Sequence, residues 1–168
     1  AEYAELADHC KLRGIDFMST PFDLEAVDML TPLMPLTKVA SADLTNIPLL
    51  RKIGKTGRPT IMSVGASSHE EIERSLNVLL EAGAPTVTLL HCVLNYPTPH
   101  AHAQLKQIQV LQEKFGDRVC IGYSDHVRPE DDGTVRIMWS GSDTHKADLD
   151  EIDEACCQIK EKWGAKVE

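Results

Sequence analysis

Short apolar runs alternate along the chain with longer amphipathic segments. The short runs are typical of buried parallel strands, and the longer segments, with apolar residues every three or four positions, are typical of helices. The pattern predicts strands at 15–18, 36–40, 60–62, 86–90 and 118–121. It predicts helices at 2–13, 23–30, 47–55, 68–83 and about 102–115. Alternating strands and helices indicate an α/β fold with a parallel sheet.

Every predicted strand is followed by polar side chains, namely Thr20, then Ser41 and Asp43, then Ser63, then His91, then Ser124 and His126. A site built from many strand ends is typical of a (β/α)8 TIM barrel. No glycine-rich fingerprint follows a strand, which counts against a nucleotide-binding open sheet. A complete barrel needs about 250 residues. The 168-residue chain therefore predicts a single domain over 1–168 that is a partial barrel, with about five to six of the eight strands.

Lys38 lies in the middle of a predicted strand, just upstream of the polar groups at its end. If its side chain points into the barrel, it supplies a positive charge that a phosphate or carboxylate could use. A buried lysine without a counter-charge is costly, so an anionic ligand or a carboxylate partner is expected. The alternative is that Lys38 faces the outer helices and pairs locally.

Composition narrows the class of partner. The net charge of −9 argues against a nucleic-acid surface, although a pocket inside an acidic protein can still be positive. No apolar run is long enough to span a bilayer, so no membrane partner is expected. Five cysteines without a C-x-x-C pair suggest a reducing compartment and a cytoplasmic location. Cys10, Cys92 and Cys120 lie in apolar contexts and are predicted to be small core residues.

Five sequence blocks, in order along the chain, carry a family resemblance: STPFD at 19–23, KVASADLTN at 38–46, IMSVG at 61–65, LLHCVLNYP at 89–97 and GYSDH at 122–126. Over roughly residues 5–132 the chain resembles the N-acetylneuraminate (sialic acid) synthase family. These are barrel transferases of sialic acid biosynthesis that condense phosphoenolpyruvate with an N-acetylated sugar aldehyde and release phosphate. The segment 139–149 also resembles the loop and helix start after the family's last barrel strand.

The resemblance implies roles for individual residues. It implies that the phosphate and carboxylate of phosphoenolpyruvate are held by Thr20, Lys38, Ser41, Ser63 and Ser124. Asp43 matches an acidic catalytic position near the reacting carbons, and Tyr96 and Asp143 match residues that line the sugar site. His126 matches a catalytic histidine, one of two that bind a divalent metal, typically Mn²⁺ with Mg²⁺ as the alternative. The family does not fix whether the acceptor is N-acetylmannosamine or a precursor of legionaminic or pseudaminic acid.

The sequence departs from the family in several places. Relative to the family pattern we expect the first two barrel strands, the E-K-H motif with the second metal histidine and the carboxyl-terminal antifreeze-like domain to be missing from this sequence. His145 is a candidate replacement for that histidine. Such a chain is expected to keep the phosphoenolpyruvate pocket, lose most condensation activity and form homo-oligomers through its open strand edges. The alternatives are a non-catalytic truncated or divergent member that binds phosphorylated small molecules or only self-assembles, and another metal-dependent barrel aldolase or lyase.

Overall fold

A computed structural model describes residues 2–127, which belong to one compact unit. Its centre is a parallel sheet of β1 (Thr37–Val39), β2 (Thr60–Ser63), β3 (Val87–His91) and β4 (Cys120–Tyr123). The strand order is β1-β2-β3-β4, so neighbours in sequence are neighbours in space. A barrel is built in this sequential order, whereas a doubly wound sheet reverses direction at a switch point. The predicted α/β barrel-type fold is confirmed, as an arc that is not closed within the described residues.

Helices precede and connect the strands. They are α1 (Glu2–Leu12), α2 (Leu24–Leu30), α3 (Ile47–Gly54), α4 (His69–Ala82) and α5 (Lys106–Phe115), with 3-10 turns at Thr31–Leu33, Ser41–Asp43 and His100–His102. The predicted capping box of α4 is present, because the backbone N–H of Glu71 donates to Ser68 Oγ and the Glu71 carboxylate accepts from the Ser68 N–H. None of the described helices is long and apolar enough to cross a membrane.

The two faces of the sheet differ because successive strand residues point to opposite sides. One face packs on the helices and forms the core with residues of α3 and α4; its members include Val39, Met62, Leu89, Leu50, Ile53, Leu76 and Leu79. The other face carries Lys38, Ile61, Ser63, Thr88, Leu90, Cys120 and Gly122, and we call it the open face. In a closed barrel this face would be the interior.

The predicted first strand, 15–18, is wrong. Those residues are not part of the sheet, and Ile15 and Met18 are exposed. The backbone N–H of Ile15 bonds to the carbonyl of Cys10 at 3.0 Å instead of to a strand. An apolar run indicates an extended chain, but a strand also needs a neighbour whose backbone groups complete the ladder.

Two further predictions need correction at β4 and at the cysteines. The last strand runs over Cys120–Tyr123, two residues later than predicted. Cys92 is buried as expected, but Cys10 is partly exposed and Cys120 is exposed. Cys120 lies between Val119 and Ile121, which pack with the core, so alternation along the strand turns its side chain to the open face.

Candidate functional site

Lys38 and Ser63 meet on the open face. Lys38 is paired in register with Ile61, so Ser63, two residues further along β2, lies on the same side of the sheet. The ammonium of Lys38 donates to Ser63 Oγ at 2.7 Å and to the carbonyl oxygen of Val39 at 3.1 Å. The alternative, that Lys38 faces the outer helices, is therefore wrong.

Lys38 carries a positive charge that its described surroundings do not neutralise. Burial lowers the pKa of Lys38, and an electrostatic contribution from the nearby Cys92 side chain partly opposes that shift. Among the described residues the ion pairs are Lys52 with Asp28 and Arg118 with Glu73, so Lys38 has no carboxylate partner there. Its hydrogen-bond partners are a hydroxyl and a carbonyl, which leave the positive charge uncompensated.

Ser41 forms a second group close to the first, just past β1. Its Oγ accepts a hydrogen bond from the Gly65 N–H at 3.0 Å and contacts Cys92 Sγ at 3.1 Å. A methyl group on Gly65 would lie 2.8 Å from that sulfur, so glycine is what allows the loops after β2 and β3 to approach. The sequence did not single out Cys92 as a site residue, although it follows Leu90 by two positions, the spacing of one strand face.

Ser124, His126 and Tyr96 come together beyond β4. The Ser124 N–H donates to the His91 carbonyl oxygen at 2.8 Å, and its Oγ lies 3.5 Å from His126 Nε2. His126 Nδ1 donates to the carbonyl oxygen of Val93 at 2.7 Å. The Tyr96 ring packs on the imidazole with 4.3 Å between ring centroids. A backbone carbonyl that fixes the hydrogen on one ring nitrogen leaves the other, Nε2, with a lone pair.

The orientation of the His126 ring is compatible with a role as a metal ligand. Nε2 of His126 is the atom that a divalent cation would bind, and the Val93 carbonyl orients the ring as outer partners of metal-binding histidines commonly do. Within residues 2–127 there is no group of three or more histidine, cysteine, aspartate or glutamate side chains that could hold a metal. Metal binding by His126 therefore stays a prediction.

The remaining predicted site residues are not joined to this site by hydrogen bonds in the described part of the chain. Asp43 accepts from the side-chain amide of Asn46 at 3.3 Å, and neither Asp43 nor Thr20 makes a hydrogen bond with Lys38 or the site serines in the described part of the chain. Asp143 and His145 lie outside the described residues.

His91, the last residue of β3, does not face the site. Its Nε2 bonds to the Ala103 carbonyl oxygen at 2.8 Å, and its ring stacks on Tyr123 with centroids 5.7 Å apart. It lies on the same, helix-facing side of β3 as the core residue Leu89. Burial and a hydrogen bond donated to Asp125 raise the pKa of Tyr123 to about 12, so this phenol stays neutral.

The family comparison agrees with this geometry. The chain matches the NeuB family over residues 1–138. It belongs to the NeuB family. Two relatives of this NeuB chain are an N,N'-diacetyllegionaminic acid synthase of Campylobacter jejuni, 39% identical over 95% of the chain, and an N-acetylneuraminate-9-phosphate synthase of Drosophila melanogaster, 35% identical over 74% of it. The resemblance to sialic acid synthases is confirmed.

Solved structures of related proteins have a similar fold. The N-acetylneuraminic acid (sialic acid) synthetase of Leptospira borgpetersenii, crystallised in complex with citrate, matches with a TM-score of 0.72 and 35% identity over 77% of this NeuB chain and 45% of its own. A truncated 3-deoxy-D-arabino-heptulosonate 7-phosphate synthase of Thermotoga maritima covers 99% of the chain and 73% of its own with a TM-score of 0.59 at 11% identity, a likeness of fold alone. The chain spans 53% of the Campylobacter relative and 34% of the Drosophila one.

Proposed function

We propose that this chain carries the phosphoenolpyruvate subsite of a synthase that condenses phosphoenolpyruvate with an N-acetylated sugar aldehyde and releases phosphate. Support comes from its relatives, which include synthases of legionaminic, pseudaminic and N-acetylneuraminic acids. Citrate in the Leptospira relative is also a small polyanion. The acceptor is an N-acetylated sugar such as N-acetylmannosamine or a precursor of the other two acids.

The observation that carries the proposal is the Lys38–Ser63 pair. A dianionic phosphate beside a carboxylate needs a point charge together with several hydroxyl or amide donors. Lys38 has no carboxylate partner among the described residues, and its ammonium already lies 2.7 Å from Ser63 Oγ on the open face. Ser41 and Ser124 lie just past the ends of β1 and β4 and would add hydroxyls to the same anion.

In the proposed reaction a carbon–carbon bond forms between the enol carbon of phosphoenolpyruvate and the aldehyde carbon. Water then adds at the carbon that bears the phosphate, and phosphate leaves. Lys38 and the serines would hold and orient the anion, which contributes by positioning and by charge stabilisation. His126 would provide one ligand to a divalent cation, Mn²⁺ or Mg²⁺, which when bound supplies Lewis acidity toward the aldehyde oxygen.

Ligand-dependent thermal unfolding tests the anion subsite. Phosphoenolpyruvate should raise the melting temperature of the chain, since a ligand that binds only the folded state stabilises it by mass action. At a ligand concentration of about 100 Kd the gain should be about 2.7 kcal/mol. Lys38→Ala should abolish the shift, while Lys55→Ala, which removes an exposed lysine from the end of α3, should keep it. An equal shift in the Lys38 variant would contradict the assignment.

Manganese binding separates the synthase from the non-catalytic alternative. If His126 is a ligand, Mn²⁺ should bind saturably, as measured by loss of the free-ion electron paramagnetic resonance signal. His126→Ala should then weaken binding by at least about tenfold, the scale seen when a metal site is disturbed. His100→Ala is the matched control, because His100 lies in a 3-10 turn outside this group. Phosphoenolpyruvate binding without any saturable Mn²⁺ site would favour a non-catalytic member.

A further inference from the structure

A cavity lies beside the sheet, next to the predicted site. It has a volume of about 500 Å³ and opens between the loops that follow β2 and β3 and the first turns of α4 and α5. That volume is within the range of small-molecule sites. None of Thr20, Lys38, Ser41, Asp43, Ser63, Tyr96, Ser124 or His126 lines it. Nothing about this cavity depends on the proposed condensation.

The lining of the cavity combines an apolar wall with polar groups. Val64, Ile72 and Leu111 form the apolar part. The polar part includes Ser67, His69, His91, Gln104 and Gln107, and no lysine, arginine, aspartate or glutamate lines the cavity. A charged ligand would find no counter-charge there, so the lining favours a neutral ligand with both an apolar and a hydrogen-bonding part.

His91 supplies an acceptor. Its side chain is only 7% exposed, and Nε2 bonds to the carbonyl oxygen of Ala103 at 2.8 Å. Because a carbonyl oxygen can only accept, Nε2 carries the hydrogen and Nδ1 of the neutral ring is an acceptor. Among the described residues Nδ1 has no hydrogen-bond partner, nor is it one of the polar atoms sealed from solvent without one. An accessible acceptor in the wall of a cavity can pair with a ligand N–H or O–H.

The two glutamines supply the complementary groups. The side-chain amides of Gln104 and Gln107 make no hydrogen bond within residues 2–127, and each offers two donors and one acceptor oxygen. Gln104 has a backbone φ of 49°, and Ala66, on the opposite rim, has a φ of 52°. In the described part of the chain these are the two residues other than glycine with positive φ, and both line this cavity. Such strained conformations cluster at ligand sites.

We propose that this cavity binds a small neutral ligand that carries an amide group. The glutamine amides would pair with the ligand amide through one N–H···O bond in each direction, and His91 Nδ1 would accept a second ligand N–H. A methyl or methylene next to the amide would contact Val64, Ile72 and Leu111. The sheet side of the cavity includes Cys92 and Gly65, which both contact Ser41 Oγ, so the cavity and the predicted anion subsite share a wall.

A matched pair of probes tests both the site and the ligand class. N-acetylglycinamide is neutral and carries two amides, whereas N-acetylglycine replaces one amide by a carboxylate. In proton–nitrogen NMR of the whole chain, N-acetylglycinamide should shift the side-chain amide signals of Gln104 and Gln107 saturably, with a Kd on the order of 20 mM or tighter for a probe of this size. N-acetylglycine should bind at least about fivefold more weakly, because its charge finds no partner.

Variants on one helix then locate the binding. Gln107→Leu keeps the side-chain size but removes the amide, and should weaken N-acetylglycinamide roughly fivefold, the effect of one lost hydrogen bond. Gln109→Leu is the control, since Gln109 lies on α5 but lines a different cleft. The proposal is overturned if N-acetylglycinamide gives no saturable shift. It is equally overturned if N-acetylglycine binds as tightly, or if the Gln109 variant weakens binding as much as the Gln107 variant does.

Discussion

Lys38 and Ser63 are 25 residues apart in sequence, and their side-chain atoms are 2.7 Å apart in the fold. The contact follows from the parallel register of β1 and β2, which brings two residues of different strands onto one face. At the scale of single residues, Lys38 is expected to set how anion affinity responds to pH. The cause is the desolvation of the Lys38 ammonium, which favours the neutral amine.

Anion affinity should therefore fall at alkaline pH earlier than for an ordinary lysine. Only the protonated form of Lys38 attracts phosphate, and its lowered pKa means that this form is lost as pH rises through a value below the usual lysine range. Isothermal titration of phosphoenolpyruvate from pH 7 to pH 10 should show affinity declining over the upper part of that range. Lys38→Arg, which stays charged, should keep its affinity there. Identical pH profiles for the parent and the arginine variant would contradict this prediction.

At the scale of elements, the close crossing of α3 and α4 depends on a glycine. Gly54 is the last residue of α3 and is buried against the end of α4. A methyl group at this position would lie 2.5 Å from Ala82 Cβ and 2.7 Å from the carbonyl oxygen of Leu79. Since one of these neighbours is backbone, a larger side chain could be accommodated only if the helices moved apart.

Gly54→Ala should destabilise the fold for this reason. Overpacking of a buried contact costs typically about 1–3 kcal/mol, which outweighs the roughly 1 kcal/mol that alanine normally gains over glycine in a helix. Urea unfolding should show a lower midpoint with an unchanged slope. Ala82→Gly removes one of the two clashing neighbours, so the double variant should be more stable than the sum of the single effects. Strict additivity would show that the two positions do not clash.

The wrongly predicted strand at 15–18 is also explained at the scale of elements. Helix signals such as the Ser68–Glu71 capping box depend on neighbours three residues away, so the sequence could locate α4 closely. A strand depends on partners far away along the chain, and residues 15–18 have none in the described sheet. Local pattern alone therefore predicted an element that the tertiary structure did not form.

At the scale of the whole molecule, the described chain exposes unusual apolar surface. Eight of its large apolar side chains with high exposure lie between residues 3 and 29, among them Leu12 at 85% and Phe22 at 64%. The outer edges of β1 and β4 also have no partner strand among the described residues. Exposed apolar patches and open strand edges are sites of association.

The chain is therefore expected to self-associate. Sedimentation velocity at micromolar concentration should show dimers or larger species, with the surface around Leu12 and Phe22 covered. Leu12→Lys with Phe22→Lys should shift the distribution toward monomer by adding charge to that surface. Thr45→Lys with Gln109→Lys is the matched control, since both positions are exposed and polar and lie elsewhere. A compact monomer for the parent chain would contradict the prediction.

The sequence by itself determined the alternation of strands and helices, the parallel α/β class and the family, because these depend on local periodicity and on short blocks in order. It placed Lys38, Ser63, Ser124 and His126 at strands or strand ends, and the register of β1 and β2 brought Lys38 to Ser63. Only the tertiary structure decided that Cys92 contacts Ser41, that Cys120 lies on the open face and that His91 lines a cavity. Each of those depends on which face of a strand a residue occupies, and a shift of one residue in the assumed strand reverses that face.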